Sequence, residues 1–135
     1  MSEFLEQIKS RAKELNKTIV LPESDDERVI EAARLIEKEG IANPILLGSQ
    51  TPDEILRQKD GLAEQFFELR KHKGISIDDA RQALENPLNL AMMMVKCGLC
   101  DGVVAGAAHS TSDVLLPALQ LVKTAESSKL VSAFL

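Results

Sequence analysis

A chain of 135 residues, 44% hydrophobic and 27% charged, is long enough to bury a core and too apolar for a disordered protein. Tyr and Trp are absent and there are four Phe, so the core falls to Leu, Ile, Val, Ala and Met. A net charge of −5 argues against nucleic acid as a partner, while leaving room for a local basic pocket. No run reaches the length of a membrane span, so no membrane partner is expected, and the charged N-terminus lacks a signal peptide's apolar region. With two cysteines and no export signal, the reducing cytoplasm is the expected compartment.

In chain order, the spacing of Phe4, Leu5, Ile8, Ala12 and Leu15 predicts a helix over 2–15, capped by Ser2. Thr18-Ile19-Val20-Leu21, stopped by Pro22, reads as a buried parallel strand. Ser24 or one of Asp25 and Asp26 then caps a helix carrying Val29, Ile30, Ala33, Leu35 and Ile36, which Gly40 ends. A second strand over 44–48 completes a right-handed β-α-β unit. Thr51 is expected to cap a short helix to about 58 with Pro52 at its first position, and Gly61 to separate it from a helix over 63–70. Ser76 caps the next helix, and Pro87 opens another that is apolar on most faces and should be buried.

A third strand over 102–105 leads through a small-residue turn into a helix over about 112–123. Pro117 is expected in or near that helix's first turn, because deeper it would cost about 3 kcal/mol. A final strand is read over 130–135, where the printed sequence stops. Left without a following helix, such a strand predicts an unpaired edge and dimers or aggregates. The pattern is an α/β fold, a parallel sheet with helices on both faces.

The stretch Asp101–Gln120 carries the best candidate chemistry. Its turn, Gly106-Ala107-Ala108-His109-Ser110-Thr111-Ser112-Asp113, combines small residues with hydroxyls and backbone N–H groups at a helix start, a setting that can hold phosphate. A plain helix cap accounts for the same residues. The spacing of a nucleotide P-loop is absent. Arg70-Lys71-His72-Lys73 before Gly74 is either a phosphate grip or a solvated helix end. Cys97 and Cys100 form a CxxC without a second pair and at the end of a helix, so they read as core thiols and no metal is expected. His109 lacks a neighbouring acid or nucleophile motif in sequence and reads as a hydrogen-bonding residue, and the acidic run 23–27 as a helix start.

The segments LPESDDERVIEAA, FFELRKHKGIS, DGVVAGAAHSTSDVLLPALQLVKT and the final SAFL resemble the N-terminal part of the phosphate acetyltransferase family, with phosphate butyryltransferase a close relation. The resemblance implies a two-domain α/β protein, similar in fold to isocitrate and isopropylmalate dehydrogenases, with residues 1–135 forming an incomplete first domain. It implies a usually homodimeric enzyme of acetate metabolism that interconverts acetyl-CoA plus phosphate with acetyl phosphate plus CoA, using CoA as substrate and no cofactor. Transfer is direct: a carboxylate takes the CoA thiol proton and the thiolate attacks the acetyl carbonyl. By position, Ser110 and Thr111 would line the phosphate, Arg70 would bind substrate, and His109 would shape the turn. Arg28 also matches, without an assigned role.

Three departures accompany the resemblance. Family enzymes are more than twice as long, and their catalytic carboxylate lies in the C-terminal half, so residues 1–135 alone should be inactive. Leu116 stands where the family carries an arginine, which should weaken substrate binding by roughly 1.5–3 kcal/mol. The segment 49–63 is short, predicting a sheet one strand narrower. Alternatives to a truncated acetyltransferase are a non-catalytic domain that binds a phosphorylated ligand or a full-length homologue, and a phosphate butyryltransferase fragment.

Overall fold

The computed structural model describes residues 3–122. In order they form α1 (Glu3–Leu15), β1 (Thr18–Leu21), α2 (Glu27–Glu39), β2 (Asn43–Leu46), α3 (Asp53–Arg70), a 3-10 turn (Lys71–Lys73), α4 (Ile77–Ala83), α5 (Pro87–Lys96), β3 (Gly102–Val103) and α6 (Thr111–Pro117), which runs into a π-helical turn (Ala118–Val122). The strand expected over 130–135 lies outside the described residues.

The sheet is parallel with order β2-β1-β3, so the chain reverses its direction of travel across the sheet between β1 and β3. Side chains alternate along β1. Val20 joins the main core with Met93 and Met94 of α5 and Leu62 and Ala63 of α3. Leu21 lies beside Val29 and Ala32 of α2 on the other side. Helices therefore cover both faces, as the sequence pattern implies.

Two polar clamps fix the register that the site depends on. Asp101 accepts from the Thr18 N–H through Oδ2 and donates its own N–H to Thr18 O, both at 2.8 Å. Asn43 donates through Nδ2 to Asn16 Oδ1 at 3.0 Å, tying the start of β2 to the turn before β1. Asn43 and Leu47 donate their N–H groups to Lys17 O and Leu21 O, so the intervening Pro44, which has none, faces away from β1. Among the described residues that side of β2 is the edge of the sheet, where proline costs no ladder bond.

Several helix signals act as the sequence predicts. Asp26 caps α2 and Gly40, at φ 68°, ends it. Ser76 and Asp79 form a capping box on α4. Pro87 opens α5 as expected, behind an Asn86 cap that the sequence reading did not single out, and α5 buries Leu88, Leu90, Ala91, Met92, Met93 and Met94.

Other expectations fail for identifiable reasons. The two helices expected on either side of Gly61 are one helix, α3. Gly61 is exposed with open space where a Cβ would sit, and burial of Ile55, Leu62 and Ala63 outweighs its propensity cost of about 1 kcal/mol. Pro52, not Thr51, is the cap position, because the Thr51 hydroxyl is engaged by the N–H and C=O of Gly48. Pro117 closes the second turn of α6 instead of sitting in its first, and the π-helical turn follows at once. A ring that cannot donate and crowds the preceding turn is accommodated by that local widening. None of α1 is buried, and Phe4 keeps 68% of its surface exposed.

Two glycines make opposite predictions. At Gly48, φ is 123° and an added Cβ would meet Ser24 Oγ, itself fully buried, at 2.6 Å. Gly48→Ala should therefore destabilise by about 2 kcal/mol or more. Gly61→Ala should stabilise by about 1 kcal/mol. Urea unfolding of the two variants against the parent checks both signs.

Candidate functional site

In open α/β sheets ligands bind beyond the carboxyl ends of the strands, where the strand order reverses. Here that point lies between β1 and β3. The chain leaving β1 supplies Glu23, and the chain leaving β3 supplies the turn from Gly106 to His109. The Glu23 side chain is 2% exposed and is surrounded by that turn. Oε1 accepts from the N–H groups of Gly106 at 2.8 Å and Ala107 at 3.0 Å. Oε2 accepts from the N–H of Ala108 at 2.7 Å and contacts His109 Nδ1, also at 2.7 Å.

Gly106 makes the loop possible, since its φ of 117° is closed to residues with a Cβ. Three successive N–H groups then converge on one point, an arrangement that favours an anion. The anion that fills it is the protein's own carboxylate. Burial pushes the Glu23 pKa up, but the His109 bond and the three N–H groups outweigh it and hold the group below its ordinary 4.5. Sequence reasoning missed this residue, taking the acidic run for a helix start alone. That signal serves Asp26; Glu23 has a partner more than eighty positions away.

Arg28 straps the same turn from outside. It grips Asp26 with Nε at 3.0 Å from Oδ1 and Nη2 at 2.6 Å from Oδ2, and Nη2 also donates to Ala107 O at 2.8 Å. Its guanidinium holds the Asp26 carboxyl down to about 2. The role left open for Arg28 in the sequence is thus a structural tie between α2 and the turn. Between the two lies an apolar cleft of 270 Å³, lined by Leu21, Val29, Ala32, Val104 and Ala105 beside Glu23 and Arg28.

The remaining predicted residues fall as follows. Ser110 caps α6 in a capping box with Asp113: its Oγ accepts the Asp113 N–H at 3.2 Å and lies 3.2 Å from Ser112 Oγ. Thr111 opens the helix. His109 keeps a third of its side chain exposed although Nδ1 faces a buried acid. These three are brought together. Arg70 ends α3, half-buried, and no hydrogen bond or ion pair among the described residues joins it to the turn. Lys71 pairs with Glu68 at 2.8 Å, as a solvated helix end would. Ser110 therefore caps α6, while the N–H groups of residues 106–108, read in the sequence as a setting for phosphate, hold the protein's own carboxylate.

Cys97 is exposed and Cys100 buried, both as free thiols. Desolvation pushes both thiol pKa values up, that of Cys97 through the part of the side chain packed on the protein although the residue is exposed overall, and neither shows the lowered pKa of an activated thiol. Among the described residues no cluster of His, Cys, Asp or Glu has the form of a metal site. No described helix is long and apolar enough to cross a membrane.

Fold and site together define a parallel α/β domain with an anion-holding turn, next to a helix cap, at its switch point. A family model described as phosphate acetyl/butaryl transferase matches residues 3–135. The phosphate acetyltransferase of Acetivibrio thermocellus is 47% identical over 148 residues, covering 97% of this chain and 45% of that protein. The Escherichia coli phosphate acetyltransferase is 35% identical, covering 96% of this chain and 21% of that protein. Among solved structures, a phosphotransacetylase from Staphylococcus aureus superposes with a TM-score of 0.80 at 34% identity, over 95% of this chain and 44% of that one. One from Streptococcus pyogenes gives 0.77 at 32%, over 93% and 44%. The chain belongs to the phosphate acetyl/butaryl transferase family, and it spans less than half the length of these relatives. An alignment of 148 positions against a chain of 135 also means that the relative carries more than a dozen residues that this chain lacks within the matched region.

The Glu23 contacts set a pH dependence. Its folded-state pKa is the lowered one, so the stability it contributes is complete above 4.5 and is lost as pH falls through the folded value. Glu23→Gln should cost about 2 kcal/mol near neutral pH, by facing an amide toward donors that need an acceptor. The gap between variant and parent should close as the solution is acidified. Urea midpoints measured in steps below pH 5 give the comparison, and a gap independent of pH would contradict the ionised latch.

Proposed function

We propose that this chain supplies one wall of a phosphate acetyltransferase active site, interconverting acetyl-CoA plus phosphate with acetyl phosphate plus CoA. The observation that carries the proposal is the placement of the family-matched turn 106–113 at the sheet's switch point, held open by Glu23 and Arg28. In this reading the phosphate lies against His109 and the hydroxyls of Ser110 and Thr111 at the start of α6. Ser110 Oγ accepts from Asp113 and retains a hydroxyl proton that it can donate to a phosphate oxygen. Arg70, which makes no hydrogen bond or ion pair to the turn among the described residues, is assigned to substrate by the resemblance alone.

The chemistry asked of these residues is positioning and charge stabilisation. A carboxylate takes the thiol proton of CoA, the thiolate carbon–sulfur bond forms at the acetyl carbonyl, and the carbon–oxygen bond to phosphate breaks. Hydrogen-bond donors around the departing phosphate then stabilise its growing negative charge. The resemblance puts that carboxylate in the part of the relatives beyond the matched segment. Residues 1–135 alone are therefore expected to bind phosphate without turnover, and to need the C-terminal-half polypeptide or a homologue as partner. The acyl group is assigned as acetyl from the resemblance of the 123–135 segment.

A second reading, a non-catalytic domain for a phosphorylated ligand, draws on Leu116. This side chain is 57% exposed on α6, one turn beyond Ser112, where the family arginine would stand. An apolar side chain offers nothing there to an anion. Leu116→Arg should tighten phosphate binding by about tenfold or more, the worth of one charge-assisted bond. Stability should stay within about 0.5 kcal/mol, since the site is on the surface. Phosphate titration decides this, and thiol release from acetyl-CoA with phosphate or arsenate, with and without a C-terminal half, decides catalysis. Turnover by residues 1–135 alone would overturn the partial-site proposal. No turnover on mixing, with no gain from Leu116→Arg, would favour the non-catalytic reading.

A further inference from the structure

Behind the turn, Glu23 and His109 form a pair whose contact does more than hold the loop open. Glu23 is a buried acid that makes four contacts, three of them to backbone N–H groups, and its fourth is a side chain with chemistry of its own. An ionised carboxylate only accepts hydrogen bonds. The 2.7 Å contact to His109 Nδ1 therefore requires a proton on Nδ1, whether the ring is neutral or charged. The two ring nitrogens diverge, so Nε2 points away from Glu23, and the ring retains 35% of its side-chain exposure.

We propose that Glu23 is a positioning residue for the phosphate-facing turn, fixing both the orientation and the tautomer of His109 so that Nε2 is the ring atom presented to substrate. Two consequences follow for the ligand. The N–H groups of Gly106, Ala107 and Ala108 are spoken for, so the loop's share of the phosphate falls to Nε2 and to the start of α6. A neutral His109 offers Nε2 as an acceptor and takes a proton-bearing oxygen, whereas a protonated one donates to an anionic oxygen. One ring can thus serve phosphate in either ionisation state without moving, because the carboxylate behind it does not change partner. The other charged groups around the turn are the Asp26–Arg28 pair, which reaches Ala107 O, and Asp113 in the first turn of α6.

This proposal rests on the phosphate reading, and its test separates the two. Nitrogen-15 NMR of the imidazoles in the 135-residue chain, at about pH 8.5 where a free imidazole is neutral, reports each tautomer directly. His72 is exposed, has no hydrogen-bond partner among the described residues, and serves as the internal reference for an unconstrained ring. His109 should be wholly in the Nδ1–H form while His72 shows the free-solution mixture, and inorganic phosphate should shift His109 Nε2. Glu23→Gln should release the tautomer and weaken phosphate binding by about tenfold. A His109 that shows the free mixture, or the Nε2–H form, overturns the positioning role even if phosphate binds. A fixed tautomer with no response to phosphate upholds the positioning of the ring and overturns the phosphate reading instead. Should the Gln variant not fold, the tautomer of the parent chain decides by itself.

Discussion

One buried carboxylate holds the functional end of this domain together. Glu23 is the point on which the exits of β1 and β3 converge, and it satisfies three loop N–H groups and one histidine at once. Without it those three donors would be left to water, and a loop of glycine and alanines has no polar side chains with which to hold its own shape. Arg28 adds a second tether at Ala107 O, and it is available for that only because Asp26 orients it. The turn is thus specified by the β1–α2 connection as much as by its own residues.

That dependence reaches back into the sheet. Glu23 meets Gly106 only if β1 and β3 are in register, and Asp101 sets the register with a reciprocal pair of bonds to Thr18. Ahead of the site, Val20 is fully buried against α5, so the strand cannot slip by one residue without expelling it. Sequence, register, loop and cap form a single chain of cause: Asp101 places β3, β3 places the turn, Glu23 shapes it, and Ser110 starts the helix beyond.

Much of this was legible in the sequence wherever the cause was local. The strand Thr18–Leu21, the Ser76 cap, the helix start at Pro87 and the strand-turn-helix after Asp101 all follow from neighbours a few positions apart. What escaped depends on distant partners. Glu23 is indistinguishable from any acidic residue near a helix start until the fold brings residue 106 to it. Gly61 looks like a break until Ile55, Leu62 and Ala63 are seen buried along one helix. Thr51 looks like a cap until Gly48 claims its hydroxyl. The grouping of His109, Ser110 and Thr111 was readable as a cluster, but Arg70 belongs to it only by resemblance, and its place at the end of α3 gives that assignment no support within this chain.

The central claim is that an internal carboxylate, and not solvent, fills the turn. Amide hydrogen exchange of Gly106, Ala107 and Ala108 tests it most directly, because these residues are exposed and would otherwise exchange freely. Three bonds to an ionised, buried Glu23 predict protection at near-neutral pH of about a hundredfold or more over an open loop, matching that of neighbouring sheet amides. Exchange of all three at the rate of an unstructured glycine–alanine segment would contradict it.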